Sequence, residues 1–175
     1  MNMQQPVIVD KLQLASLDEA PGVCGPRASA RLIEYANNSY FVLPPHTTVE
    51  IIDHPAIVAV PGAAYYAYGL MKWQEHYIPI IDIDTLLRAY HDMPGNTVPR
   101  YALVVAYQRA PGAPIEHGAL GLAALPQTIE VGDEAWCDLP ASSDLWPLLA
   151  LSCVRYHSAI VPILDTAKLF IRHHG

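Results

Sequence analysis

Asp82 and Asp84 are the two residues of this sequence best spaced for acid–base chemistry. They lie two positions apart in the run Tyr77 to Leu87, and on an extended strand that spacing puts both carboxylates on one face, as a general acid and its partner would need. A structural role competes with that one. Asp82 has a counterpart in Asp165, and each closes an apolar run just ahead of a helical turn. A carboxylate placed there accepts the orphan N–H groups of a helix start, and this capping role is the stronger reading. Histidines occupy positions 46, 54, 76, 91, 117, 157, 173 and 174. Only the last two adjoin, no His-x-His pair occurs, and Glu116-His117 lacks the second histidine of a zincin helix. They read as structural or solvated side chains, ahead of a metal or pH-sensing role. No G-x-S-x-G elbow is present, and neither a P-loop nor a dinucleotide fingerprint offers phosphates a cradle. No catalytic residue, metal or cofactor is expected.

The cysteines Cys24, Cys137 and Cys153 lack any C-x-x-C spacing, and an odd number fits reduced thiols better than a disulfide framework. Cys24 sits in a Gly/Pro loop with no sequence cue for an activating base. The net charge is −7, and ten basic residues are dispersed along the chain, which argues against nucleic-acid binding. No apolar run approaches the roughly 20 residues of a membrane span, and the N-terminus lacks the regions of a signal peptide. These features point to the cytoplasm, with no direct membrane insertion. With 52% hydrophobic and 15% charged residues in a chain of 175, the apolar content exceeds that of an average soluble domain. Part of that surplus is available to cover a partner-binding surface.

The elements that must hold these residues come in two copies. Sliding the sequence by 83 positions sets Pro79 on Pro162, Asp82 on Asp165 and Leu86-Leu87 on Leu169-Phe170. The register continues backwards through Lys72 on Arg155 and Trp73 on Tyr156. Each copy reads as strand, polar turn, strand with a central proline, aspartate and a short helical turn. Sixteen prolines and ten glycines cut the rest into short strands and turns. Residues 31–36 and 39–43 form a hairpin around Asn37-Asn38, since asparagine tolerates the positive φ of a tight turn. Further strands are read at 48–52, 56–60, 101–107 and 126–131, and residues 132–147 as an irregular connection. The division that follows is an N-terminal extension at 1–30, a first lobe at 31–90, a connection at 91–99, a second lobe at 100–170 and a tail at 171–175.

Taken in order, Val49-Glu50-Ile51, Val60-Pro61-Gly62-Ala63, Gly69-Leu70-Met71, Ile78-Pro79-Ile80-Ile81-Asp82 and Val161-Pro162-Ile163-Leu164-Asp165 resemble the CheW-like family of bacterial chemosensory coupling proteins. The resemblance runs from about Arg31 to Phe170. It implies an all-β fold of two five-stranded SH3-like β-barrels packed side by side, with short helical turns and no catalysis. It also implies a scaffold that bridges the cytoplasmic tip of a chemoreceptor and the regulatory domain of a histidine kinase, serving type IV pilus motility or another non-flagellar output. A small-ligand- or metal-responsive β-barrel module is the alternative.

The resemblance further implies partner-binding positions at Glu50, Ile51, Gly69, Lys72, Trp73, Gln74 and Glu75. Where the family reads asparagine-leucine-arginine-glycine, this chain reads Lys72-Trp73-Gln74-Glu75. The family's arginine falls on Gln74 and its turn glycine on Glu75. A charged fork able to pair with carboxylates is thus replaced by a neutral amide beside an acid. Trp73 is read either as a replacement anchor or as barrel core, the latter favoured by Tyr156 at its repeat partner. Gly69 fits a bulge or a close backbone approach better than direct binding.

Overall fold

The computed structural model describes residues 25–88 and 97–171. Eleven strands run among them: β1 (Arg27–Ala36), β2 (Ser39–Leu43), β3 (Thr48–Asp53), β4 (Ile57–Val58), β5 (Ala67–Trp73), β6 (His76–Ile81), β7 (Tyr101–Gln108), β8 (Ile115–Leu122), β9 (Gln127–Gly132), β10 (Ala150–Tyr156) and β11 (Ala159–Leu164). Three short helices join them: α1 (Ile83–Arg88), α2 (Trp146–Leu149) and α3 (Thr166–Ile171). The strands form two sheets, one ordered β10-β11-β2-β1-β9 and the other β3-β7-β8-β6-β5-β4.

The internal repeat is reproduced bond by bond. Shifted by 83 residues, β5, β6 and α1 fall on β10, β11 and α3 with identical ends. Both copies bulge at the same place, between Ala67 and Gly69 and between Ala150 and Ser152. Both hairpin turns place their first central residue in the left-handed region, Gln74 and His157 each at φ 52°. In both, the aspartate caps its helix. Asp82 accepts from Thr85 N at 3.2 Å and Thr85 Oγ1 at 2.7 Å, and Asp165 accepts from Ala167 N at 3.0 Å and Lys168 N at 3.4 Å. Each cap's own N–H donates to the residue that precedes the first strand of its copy, Asp82 to Tyr66 O and Asp165 to Leu149 O.

The lobes do not follow the division of the sequence at 91–99. β3 to β8 form one lobe from a continuous stretch, whereas β1 and β2 leave the first half to pair with β9, β10 and β11. One lobe is therefore inserted between the second and third strands of the other. The joins that decide this are the antiparallel pairing of β1 with β9, Arg27–Leu32 against Gln127–Gly132, and two parallel ones, Ile163 with Val42 in the outer lobe and Ile80–Ile81 with Ala119–Leu120 in the inner one. A parallel neighbour is reached only through a long crossover, so its identity is not written in adjacent residues. The inner lobe carries six strands instead of five because β4, two residues long, is matched in the repeat only by an isolated bridge, Trp136 with Val154, at the register of Ile57 with Met71. β1 also begins at Arg27, inside the stretch read as an extension. Residues 1–24, 89–96 and 172–175 lie outside the described residues.

Three clusters of buried side chains account for the apolar surplus. One fills the outer lobe (Leu32, Val42, Ile129, Val154, Val161) and one the inner lobe (Met71, Trp73, Ile78, Ile80, Val104). The third and largest lies between them and draws on both sheets and all three helices. Successive strand residues point to opposite faces, so β7 sends Ala102 and Val104 into its own lobe and Leu103, Val105 and Tyr107 into the central cluster. β2 does the same with Val42 against Phe41 and Leu43. Strands buried on both faces read as continuous apolar runs, as Tyr101 to Tyr107 does. Trp146, in a stretch read as irregular, lies 1% exposed in this central cluster.

Candidate partner interface

β3 is an edge strand of the inner lobe and pairs only with β7. Its side chains split by alternation: Ile52 packs against the inner-lobe core, and Val49 and Ile51 face outward and remain exposed. Glu50 shares the inward side with Ile52 but sits at the rim. Across the barrel mouth the Trp73 indole Nε1 donates to Glu50 Oε2 at 2.7 Å. That bond satisfies the one polar group of a tryptophan 7% exposed, whose ring also lies 4.6 Å from that of His117. Trp73 is therefore core, and the indole reaches the surface only through the carboxylate it holds.

The other expected positions separate. Lys72, Gln74 and Glu75 are exposed on the hairpin between β5 and β6. The left-handed backbone of that turn falls on Gln74, one residue before the position where the resemblance sets the family's glycine. Gly69 is buried at φ 135°, and a Cβ there would fall on the Val58 carbonyl. The twin bulge carries Ser152 in place of glycine, so the bulge alone does not require it. The close approach of the Val58 carbonyl on β4 does.

At the opposite end of the sheet order from β3, β4 and the residues just after it expose two more apolar side chains. Val58 is 56% exposed, Val60 40% and Ile51 43%. Beside Glu50 a hollow of about 260 Å³ opens, lined by Arg31, Val49, Ile51, Leu103 and Pro126. An apolar patch beside a carboxylate on an unpaired edge has the composition of an interface core with a polar rim. Sequence reading named Glu50 and Ile51 as partner-binding positions and did not name Val49, Val58 or Val60. The alternation of Val49 with Ile51 was the available signal, but it does not say which face is covered.

A second concave feature, about 630 Å³, lies where β5, β6, the β7–β8 hairpin and α3 meet. Leu70, Ile78, Ile81 and Phe170 line its apolar part, and His76, Arg109, Glu116 and His117 its polar part. Arg109 grips both oxygens of Glu116 at 2.6 and 3.0 Å, and Tyr107 Oη donates to the same carboxylate at 3.0 Å. The Tyr107 ring stacks on Phe170 at 5.1 Å, a position open to Phe170 because Gly118 has no Cβ to meet it. Burial first, and then the Glu116 carboxylate, push the Tyr107 phenol up to about 12. Asp82 and Asp84 do not form an acid–base pair: Asp82 is a cap that also accepts from Tyr68 Oη at 3.1 Å, and Asp84 pairs with Arg88 at 2.7 Å. Among the described residues, no group of three or more His, Cys, Asp or Glu could hold a metal, and no helix is long and apolar enough to cross a membrane.

The CheW-like domain family matches residues 32–173. The chain belongs to the CheW-like family. Members of that family are chemosensory scaffold and coupling proteins. Among solved structures, the scaffolding protein TtCheW from Thermoanaerobacter tengcongensis is similar at a TM-score of 0.62 and 11% identity, over 80% of this chain and 90% of that one. At that identity the likeness is one of fold: the two-lobe all-β architecture of this chain is CheW-like. No curated protein sequence matches the chain.

Proposed function

We propose that this CheW-like protein is a non-catalytic coupler of a chemosensory array, binding the regulatory domain of a histidine kinase and the cytoplasmic tip of a chemoreceptor. Type IV pilus motility or another non-flagellar process is the output. The observation that carries the reading is the β3 edge of the inner lobe, where Val49 and Ile51 stand exposed beside a carboxylate oriented by Trp73. Such a surface works by geometry alone. Holding receptor and kinase together transmits a signal only if the contacts differ between the two signalling states.

The test is a binding titration with the kinase regulatory domain and the receptor tip encoded nearest this gene. A complex of about micromolar affinity, roughly −8 kcal/mol, is expected with each, and binding to neither would sink the proposal. Gln74→Arg addresses the hairpin: if neither affinity moves, residues 72–75 lie outside both interfaces. The small-ligand alternative draws its support from the 630 Å³ cavity and its apolar lining, a size at which drug-sized molecules are bound. Thermal-shift screening of the free protein would favour it only if a hit is lost on Ala64→Trp, a bulky substitution at an exposed lining residue.

A further inference from the structure

Cys137 and Cys153 are sixteen positions apart in sequence and adjacent in space. After β9 and a 3-10 turn at Asp133–Ala135, the chain crosses to the free edge of β10. It attaches there through an isolated antiparallel bridge between Trp136 and Val154. One step along, Cys137 N donates to Cys153 O at 3.1 Å. Both thiols are free and buried. Residues that face each other across a hydrogen-bonded antiparallel pair stand about 5.5 Å apart at Cα, inside the range of about 4.4–6.8 Å that a disulfide spans.

We infer that Cys137 and Cys153 form an oxidation site that closes an intramolecular disulfide with a peroxide as oxidant. Cys137, 9% exposed against 1% for Cys153, is the first to be reached. Its sulfur attacks a peroxide oxygen, the O–O bond breaks, and a sulfenic acid and one water form with the thiol proton leaving on the departing oxygen. Cys153 sulfur then attacks the sulfenic sulfur, the S–O bond breaks, and the hydroxyl leaves as a second water with the Cys153 proton. Two thiols lose two electrons in total, and one peroxide is reduced. Burial and the neighbouring Cys137 thiol push the Cys153 thiol up to about 12, which suits the resolving partner and not the first nucleophile. Access comes from the seam itself, held by one isolated bridge and flanked by Trp136 at 67% exposure. Segments with so few paired groups open locally at low cost. The product ties the segment after β9 to β10 and closes the outer lobe covalently around a loop of about fifteen residues, a length at which a disulfide stabilises appreciably.

The experiment treats the reduced, folded full chain with hydrogen peroxide, blocks remaining thiols and maps peptides. The expected product is a linked peptide pair joining Cys137 to Cys153, lighter by two hydrogens, formed at a rate independent of protein concentration. The melting temperature should rise by several degrees and return on reduction by dithiothreitol. In Cys153→Ala, dimedone should trap the sulfenic acid on Cys137. If that variant does not fold, the wild-type map alone decides. Recovery of both thiols unoxidised, or a linkage through Cys24 instead, would overturn the inference.

Discussion

Trp73 carries the clearest single-residue consequence. Replacing its indole by a phenyl ring keeps most of the packing and removes the N–H that holds Glu50. A hydrogen bond to a charged group contributes about 1.5–3 kcal/mol when buried. Since Glu50 is exposed, Trp73→Phe is expected to cost about 1–2 kcal/mol in urea denaturation. It should also weaken any partner that reads the Glu50 carboxylate, which a titration against the kinase regulatory domain would report. Gln74 holds left-handed backbone at φ 52°, where a Cβ costs roughly 1–2 kcal/mol. Glycine gives back part of that gain through the entropy of the unfolded chain, about 0.5–1 kcal/mol. Gln74→Gly should therefore stabilise by about 0.5 kcal/mol, read as a higher urea midpoint at unchanged slope.

The two strand–turn–strand–helix copies make a controlled comparison at the level of elements. Both aspartates cap, but Asp82 accepts from Thr85 N, Thr85 Oγ1 and Tyr68 Oη, and Asp165 from two backbone N–H groups. Loss of a cap costs about 1 kcal/mol. Asp165→Ala is expected near that figure. Asp82→Ala should cost about 2 kcal/mol, because it also strands the Tyr68 and Thr85 hydroxyls. Equal losses in a paired denaturation experiment would show that the side-chain bonds to Asp82 contribute nothing beyond the cap. Twin elements thus share a scaffold and differ in detail, just as β4 of the inner lobe is matched by only an isolated bridge in the outer one.

For the whole molecule, the nested topology and the central cluster predict one cooperative unit. Leu164 lies 1% exposed in that cluster, and Leu164→Ala should lose about 2–5 kcal/mol. The loss should appear in a single transition seen alike by tryptophan fluorescence, which reports Trp73 of the inner lobe and Trp146 of the centre, and by circular dichroism. Two separated transitions would show that the lobes unfold independently. Tyr107 and Phe170 stack across the lobe junction, and this contact has a pH signature. The Tyr107 phenol is raised to about 12 from 10.0, so the folded chain favours the protonated form. The stability this supplies is complete below pH about 10 and is lost as pH climbs through about 12. Tyr107→Phe should flatten the decline in that window, measured by denaturation at fixed alkaline pH values.

The local grammar was legible in the residues. β-Branched strands, the Asn37-Asn38 turn, the prolines and the capping aspartates each act over a few neighbours, so the repeat, its strands and its helices could be read directly. Glu50 and Ile51 were found through their order among family motifs, and the core assignment of Trp73 through its partner at Tyr156. Contacts between distant segments were decided only by the tertiary structure. Which hairpin joins which strands rests on the long-range antiparallel pairing of β1 with β9 and on a few parallel pairs, and the Cys137–Cys153 contact on one bridge at a sheet edge. The exposure of Val49, Val58 and Val60 depends on what the fold leaves uncovered. Alternation and turn chemistry are properties of short windows, whereas pairing across a crossover depends on the free energy of the whole packed arrangement.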